Sequence, residues 1–154
     1  MDDFIIARAV HVLSVLLWIG GVAFVTTTLL PSIRRAHPPG ERLACFHEVE
    51  AGFARQARWS VLAAGASGLW MVHRGAMWDR FADPHFWWMH AMVGLWLLFA
   101  TMLFVIEPLF LHAHMERPDP AGAAFRRIER LHRVLLALAL VTTFGAVAGS
   151  HGLF

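Results

Sequence analysis

The chain has 154 residues, 58% of them hydrophobic and only 16% charged, with a mean hydropathy of +0.55. Soluble domains are about a quarter charged, so composition points to lipid rather than water, and the length fits a single domain. The basic residues are all arginine; a pI near 9.9 would suit nucleic acid, but the arginines lie between apolar runs, where membrane topology accounts for them better and no nucleic-acid partner is implied. The single Cys45 excludes a disulfide framework and any four-cysteine metal site, and in a reducing cytoplasm it is inert.

A helical span needs about 20 mostly apolar residues to cross a hydrocarbon core of about 30 Å. Four stretches qualify. The first runs from about Phe4 to Leu30 and is predicted to stop at Pro31; it is too long for the apolar part of a cleavable signal. An amphipathic segment, Glu41 to Ala57, follows and could extend the second span, Arg58 to His73, backwards; that span is the shortest and is glycine-rich. The third runs from about Phe86 to Leu111 and the fourth from about Leu131 to Ser150. The expected fold is all-α, one integral-membrane four-helix bundle over residues 1–154.

Orientation follows from the arginines. Arg34, Arg35, Arg42, Arg55 and Arg58 flank the first connection, and Arg117, Arg126, Arg127, Arg130 and Arg133 the third. The opposite side carries only Arg8, Arg74 and Arg80, which places both termini on the exterior or periplasmic face. Trp59, Trp78, Trp87 and Trp88 fall near span ends, where aromatic belts form. Glycines such as Gly65, Gly94 and Gly149 lie inside spans and permit close helix approach, or room for a flat ligand.

Ten histidines then sort by depth. His37, His47, His112, His114 and His132 belong to the inner loops or their edges and need no special account. The His112–His114 pair points to two different helix faces. His11, His73, His90 and His151 lie toward the outer ends of four different spans, and His85 lies in the adjoining loop. His11 is about 10 Å along the first span and His90 about 6 Å along the third. Ionisable groups at such depth face the interior, where they are paired or bound to something.

Two chemistries suit this arrangement. Imidazoles from facing helices can ligate haem iron axially, with His11 and His90 the first pair and His73 and His151 in reserve. Arg8, one turn before His11, could pair with a propionate, while Trp18 and Gly94 would shape the cavity. Alternatively Met71, His73, Met77, Met89, His90 and Met92 supply the thioether and imidazole donors that Cu(I) favours. Glu107, the one carboxylate within a span, is expected to pair with a loop arginine such as Arg130 or Arg133. The lack of a mid-membrane acid argues against an ion-coupled transporter. Nucleotide-binding glycine loops and nucleophile elbows are missing as well.

"RAVHVLSVLLWIGGVAF" (residues 8–24), "RQARWSVLAAGASGLWMV" (55–72), "WWMHAMVGLWLL" (87–98) and "FRRIERLHRVLLALALV" (125–141) together resemble two related groups of small bacterial membrane proteins. These are the HemJ-type protoporphyrinogen oxidases and the membrane domain of copper-resistance D (CopD-type) proteins. His11, Trp18 and Gly21 match the opening pattern of the first span, and His90 the histidine of the third. The resemblance implies a multi-pass protein of the bacterial inner membrane, holding a b-type haem through His11 and His90 in the oxidase case. Met92 stands where the oxidase pattern has a lysine, removing a cation that would handle tetrapyrrole propionates, so oxidase activity does not follow while haem binding is untouched. The expected function is electron transfer, or a haem-dependent redox reaction, coupled to a quinone or a redox partner. The alternatives are Cu(I) handling and an accessory subunit of a respiratory complex, alone or as a homo-oligomer.

Overall fold

A computed structural model describes residues 2–108 and 121–153. Every regular element in them is helical: α1 (Asp2–Phe24), a π turn (Val25–Leu29), α2 (Leu30–Ala36), α3 (Arg42–Arg74), two short 3-10 turns (Trp78–Ala82 and Pro84–Phe86), α4 (Trp87–Thr101), a second π turn (Met102–Ile106) and α5 (Ala123–Ser150). Three stretches are long and apolar enough to cross a membrane: Asp2–Ala36, Pro84–Ile106 and Ala123–Ser150. Their outward faces are strongly apolar. Leu16 and Phe144 are each 66% exposed and Val141 62%, an arrangement that suits lipid and would aggregate in water. The expected second span forms the latter half of α3, whose 33 residues make a helix about 50 Å long. The amphipathic segment does extend it backwards, without a break. The end of the expected third span, with His112, His114 and Arg117, lies outside the described residues.

Proline does not end the first span. The chain stays helical through Pro31 to Ala36 because the turn before it is wound more loosely. Proline lacks an N–H and its ring crowds the preceding turn; a π turn relieves that crowding by moving each bond one residue further. The Leu30 N–H accordingly bonds the carbonyl of Val25. Thr26 and Thr27 turn their hydroxyls back onto the carbonyls of Val22 and Ala23, each at 2.7 Å. The same device precedes Pro108, where the Glu107 N–H reaches back to Met102.

Helix α1 packs along α3 and α4 along α5, while α1–α5 and α3–α4 contacts join the two pairs. Asp3 and Arg74 meet at 2.6 Å, so the start of α1 lies beside the end of α3 and the two run antiparallel. All four long helices supply the central core: Trp18, Ile19 and Val22 from α1, Val61 and Ala64 from α3, Leu95 and Phe99 from α4, Leu135 and Ala139 from α5. A second cluster of Val25, Leu30, Ile33, Phe46 and Phe125 seals the end carrying α2. Helix α5 starts from Gly122, whose φ of +63° suits glycine; a Cβ there would also meet Pro39 at 3.3 Å.

Glycine–aromatic seats fix the helix spacing. Trp88 lies flat over Gly149, where an added Cβ would come within 2.5 Å of the ring, and Trp87 covers Gly145. Trp88 is therefore buried, not part of a headgroup belt, whereas Trp59 and Trp78 are largely exposed. Trp96 sits against Gly65 and donates its indole N–H to the carbonyl of Val61 at 2.8 Å.

Candidate functional site

His11 projects from α1 onto α3. Its Nδ1 lies 2.9 Å from the carbonyl of Ala64 and 3.2 Å from the Ser67 hydroxyl. That hydroxyl donates to the carbonyl of Ala63, so it accepts from His11. A carbonyl can only accept, hence the Nδ1 carries the proton and the Nε2 keeps its lone pair. Gly68 makes room for the ring: a Cβ there would stand 3.2 Å from it. A histidine with one nitrogen tied to a backbone carbonyl and the other free has the arrangement metal-ligating histidines show.

The other predicted outer residues are less gathered. His90 is exposed at the start of α4 and meets the edge of Phe81, ring centroids 5.3 Å apart. The contacts of His11 and His90 run to different elements and do not bring the two together. The cause is helical phase: Trp88, Met89, Leu95 and Phe99 turn one face of α4 inward, and a residue directly after Met89 is rotated about 100° away from it. His73 is exposed in the last turn of α3, and His151 bonds the carbonyl of Val147 through Nδ1 at 2.8 Å. Arg8 is exposed, and Gly94 faces open space. Of the six copper donors, Met89 is buried in the core while Met71, Met77 and Met92 are half-buried and His73 and His90 exposed. Among the described residues no three of His, Cys, Asp and Glu group closely enough to hold a metal ion.

Toward the opposite end, Glu107 pairs with Arg58 of α3 at 2.8 Å, not with Arg130 or Arg133. The reason is again the proline. In the π register the Leu103 carbonyl would bond the nitrogen of residue 108, which has no N–H. Arg58 Nε donates to that carbonyl instead, at 3.2 Å, and its other arm takes Glu107. Arg133 and Arg34 lie 3.7 Å and 3.5 Å from the buried carboxylate of Glu129.

Beside this pair is a cavity of about 50 Å³ into which all four long helices reach, with Trp18, Glu50, Phe99 and His132 among its walls. Trp18 is 4% exposed, and its indole N–H has no acceptor among the described residues. It stands edge-on to Phe99 at 4.9 Å, a ring contact that leaves the N–H unsatisfied. His132 donates Nδ1–H to the carbonyl of Ile128 at 3.0 Å, which leaves its Nε2 as an acceptor. Burial pushes the Glu50 carboxyl up to about 7, and the charge of Glu107 adds to the effect. Neither Glu50 nor His132 stood out in the sequence, where His132 reads as a solvated loop residue. The usable signal was the i, i+4, i+7 run Phe46, Glu50, Phe53, which puts an acid on an otherwise apolar face.

Comparison with protein-family models, characterised proteins and solved structures gave no match.

Proposed function

We propose that the chain is a four-helix bundle of the bacterial inner membrane, both termini outside, that binds a b-type haem and passes electrons between the quinone pool and a second redox partner. The observation that carries this reading is the His11 Nδ1–Ala64 contact of 2.9 Å, which fixes the tautomer and leaves Nε2 available. A b-type haem supplies a one-electron couple whose potential is set by its axial ligands and their surroundings. His11 fits the part of ligand. His90, at the same end and without a hydrogen-bond partner among the described residues, is the second ligand we propose, with His73 and His151 in reserve; its ring has to leave the edge of Phe81 to serve. Arg8, exposed one turn before His11, has the charge to meet a propionate. The arginine-rich connections support the orientation.

The test is the optical spectrum of detergent-solubilised protein from haem-replete cells. A Soret band that shifts on reduction, and is lost in His11→Ala with the helix content intact, is the expected result. A colourless, metal-free preparation overturns the proposal, and stoichiometric copper without porphyrin transfers it to Cu(I) handling.

A further inference from the structure

The cavity among Trp18, Glu50 and His132 asks for an occupant that the four walls do not supply. A buried N–H without an acceptor costs about 1–3 kcal/mol, and the great majority of such groups in folded proteins are satisfied by protein or by ordered water. The polar residues lining the space are complementary in kind. Trp18 offers a donor, His132 Nε2 an acceptor, and the Glu50 carboxyl can act as either. A volume of about 50 Å³ admits a few waters and no ring-sized ligand, since a single water needs about 10–15 Å³. The remaining walls are apolar, which confines those waters to the polar corner. Glu50 and His132 are partly exposed while Trp18 is buried, so the space leads inward from the end that carries the arginines.

We propose that this cavity is a hydrated proton-exchange site, in which bound water links the Trp18 indole N–H, the Glu50 carboxyl and His132 Nε2. A proton leaving Glu50 passes through the water to His132 Nε2, giving carboxylate and imidazolium; no other reactant is consumed. The charge acting on Glu50 is that of Glu107 in the chain after α4, which is itself paired with Arg58 of α3; the titratable His132 of α5 lines the same space, and α1 contributes the neutral Trp18 and Val22. The inference stands apart from whatever His11 binds.

Infrared spectroscopy of the solubilised full chain tests it. A protonated-carboxyl band that titrates near pH 7 and vanishes in Glu50→Gln identifies the group. Trp18→Phe removes the one donor that favours the carboxylate through water, so the proton affinity of Glu50 should rise about fivefold, the equivalent of one hydrogen bond. Bound-water O–H bands that shift in H₂¹⁸O and disappear in Glu50→Gln complete the expected result in the unaltered protein. A Glu50 band unmoved by a correctly folded Trp18→Phe overturns the proposal, as does wild-type protein with no ¹⁸O-sensitive water band. Should Trp18→Phe fail to fold, His132→Phe decides together with the isotope measurement: it removes the acceptor that supports the protonated carboxyl, so the proton affinity of Glu50 should fall, and an unmoved band overturns the proposal.

Discussion

Replacing Glu50 by glutamine should remove a pH dependence of stability that the wild-type chain carries. The Glu50 carboxyl has an ordinary value of 4.5 and is raised to about 7 by burial, with Glu107 adding to the rise. Between those limits the folded protein holds a proton that the unfolded chain has released. Stability therefore falls as pH climbs from 4.5 toward about 7 and levels off above it, the reverse of a salt-bridged acid. At about 1.4 kcal/mol for each tenfold change in proton affinity, the full loss is at most about 3.5 kcal/mol. Glutamine has nearly the same shape and no proton to lose, so Glu50→Gln should match the wild type near pH 5 and exceed it by up to about 3.5 kcal/mol near pH 8. Chemical denaturation of both proteins in the same micelle at the two pH values reads the difference, because titrating groups not coupled to Glu50 cancel, and Glu107 is the one coupled to it. Two curves displaced by a constant amount across the range would refute the reasoning.

Other perturbations separate the packing from the site. Gly68→Leu drives a side chain into the space of the His11 ring, now 3.2 Å from a Cβ at that position; if His11 holds the proposed haem, most of the Soret absorbance should be lost while circular dichroism stays unchanged. Gly149→Val collides with Trp88 and should cost about 1–3 kcal/mol in the same denaturation assay. Gly94→Ala meets nothing within 4 Å and should be neutral or stabilising by up to about 1 kcal/mol. Arg58→Gln leaves Glu107 and the Leu103 carbonyl without their donor and should cost about 1–3 kcal/mol; adding Glu107→Gln should recover part of it, giving a nonzero coupling in a double-mutant cycle.

Three of the helices were legible because their apolar runs match the length a membrane crossing needs, and the backward extension of the shorter run in α3 was legible from its amphipathic first half. Their ends were less so. Pro31 reads as a stop, and only the looser turn at Val25–Leu29 lets the helix pass it. The partner of Glu107 was missed for the same reason: the arginine is recruited by a carbonyl that Pro108 leaves vacant, and hydropathy does not register that. His11 was legible as an inward-facing group because a histidine in an apolar run must find an acceptor, and it finds Ala64. The surroundings of His90 were not, since one residue of helical phase decides whether a side chain beside Met89 faces the core or leaves it. The cavity depended on rotations of four helices at once. No spacing within one segment records how Glu50 and His132, far apart in the chain, come to border Trp18.

Trp18 ties the two ends of the molecule together. It stands seven residues after His11, which is about 10 Å along α1; His11 turns toward α3, while Trp18 meets Phe99 of α4. Its ring closes the core against Phe99 and borders the cavity, and its N–H has no acceptor among the described residues. An apolar residue of the same bulk would pack there without leaving a donor unsatisfied, so packing alone does not account for an indole. Trp18→Phe keeps most of the aromatic contact and deletes the donor, and so acts on the cavity alone. Trp18→Ala opens the core as well, at a cost of about 3–5 kcal/mol, and should loosen the His11 seat along with it. If His11 holds a haem as proposed, a Soret band unchanged in Trp18→Phe but weakened in Trp18→Ala is the expected pattern. Equal losses in both variants would mean that the indole N–H itself reaches the His11 site, and that the two ends are not separate.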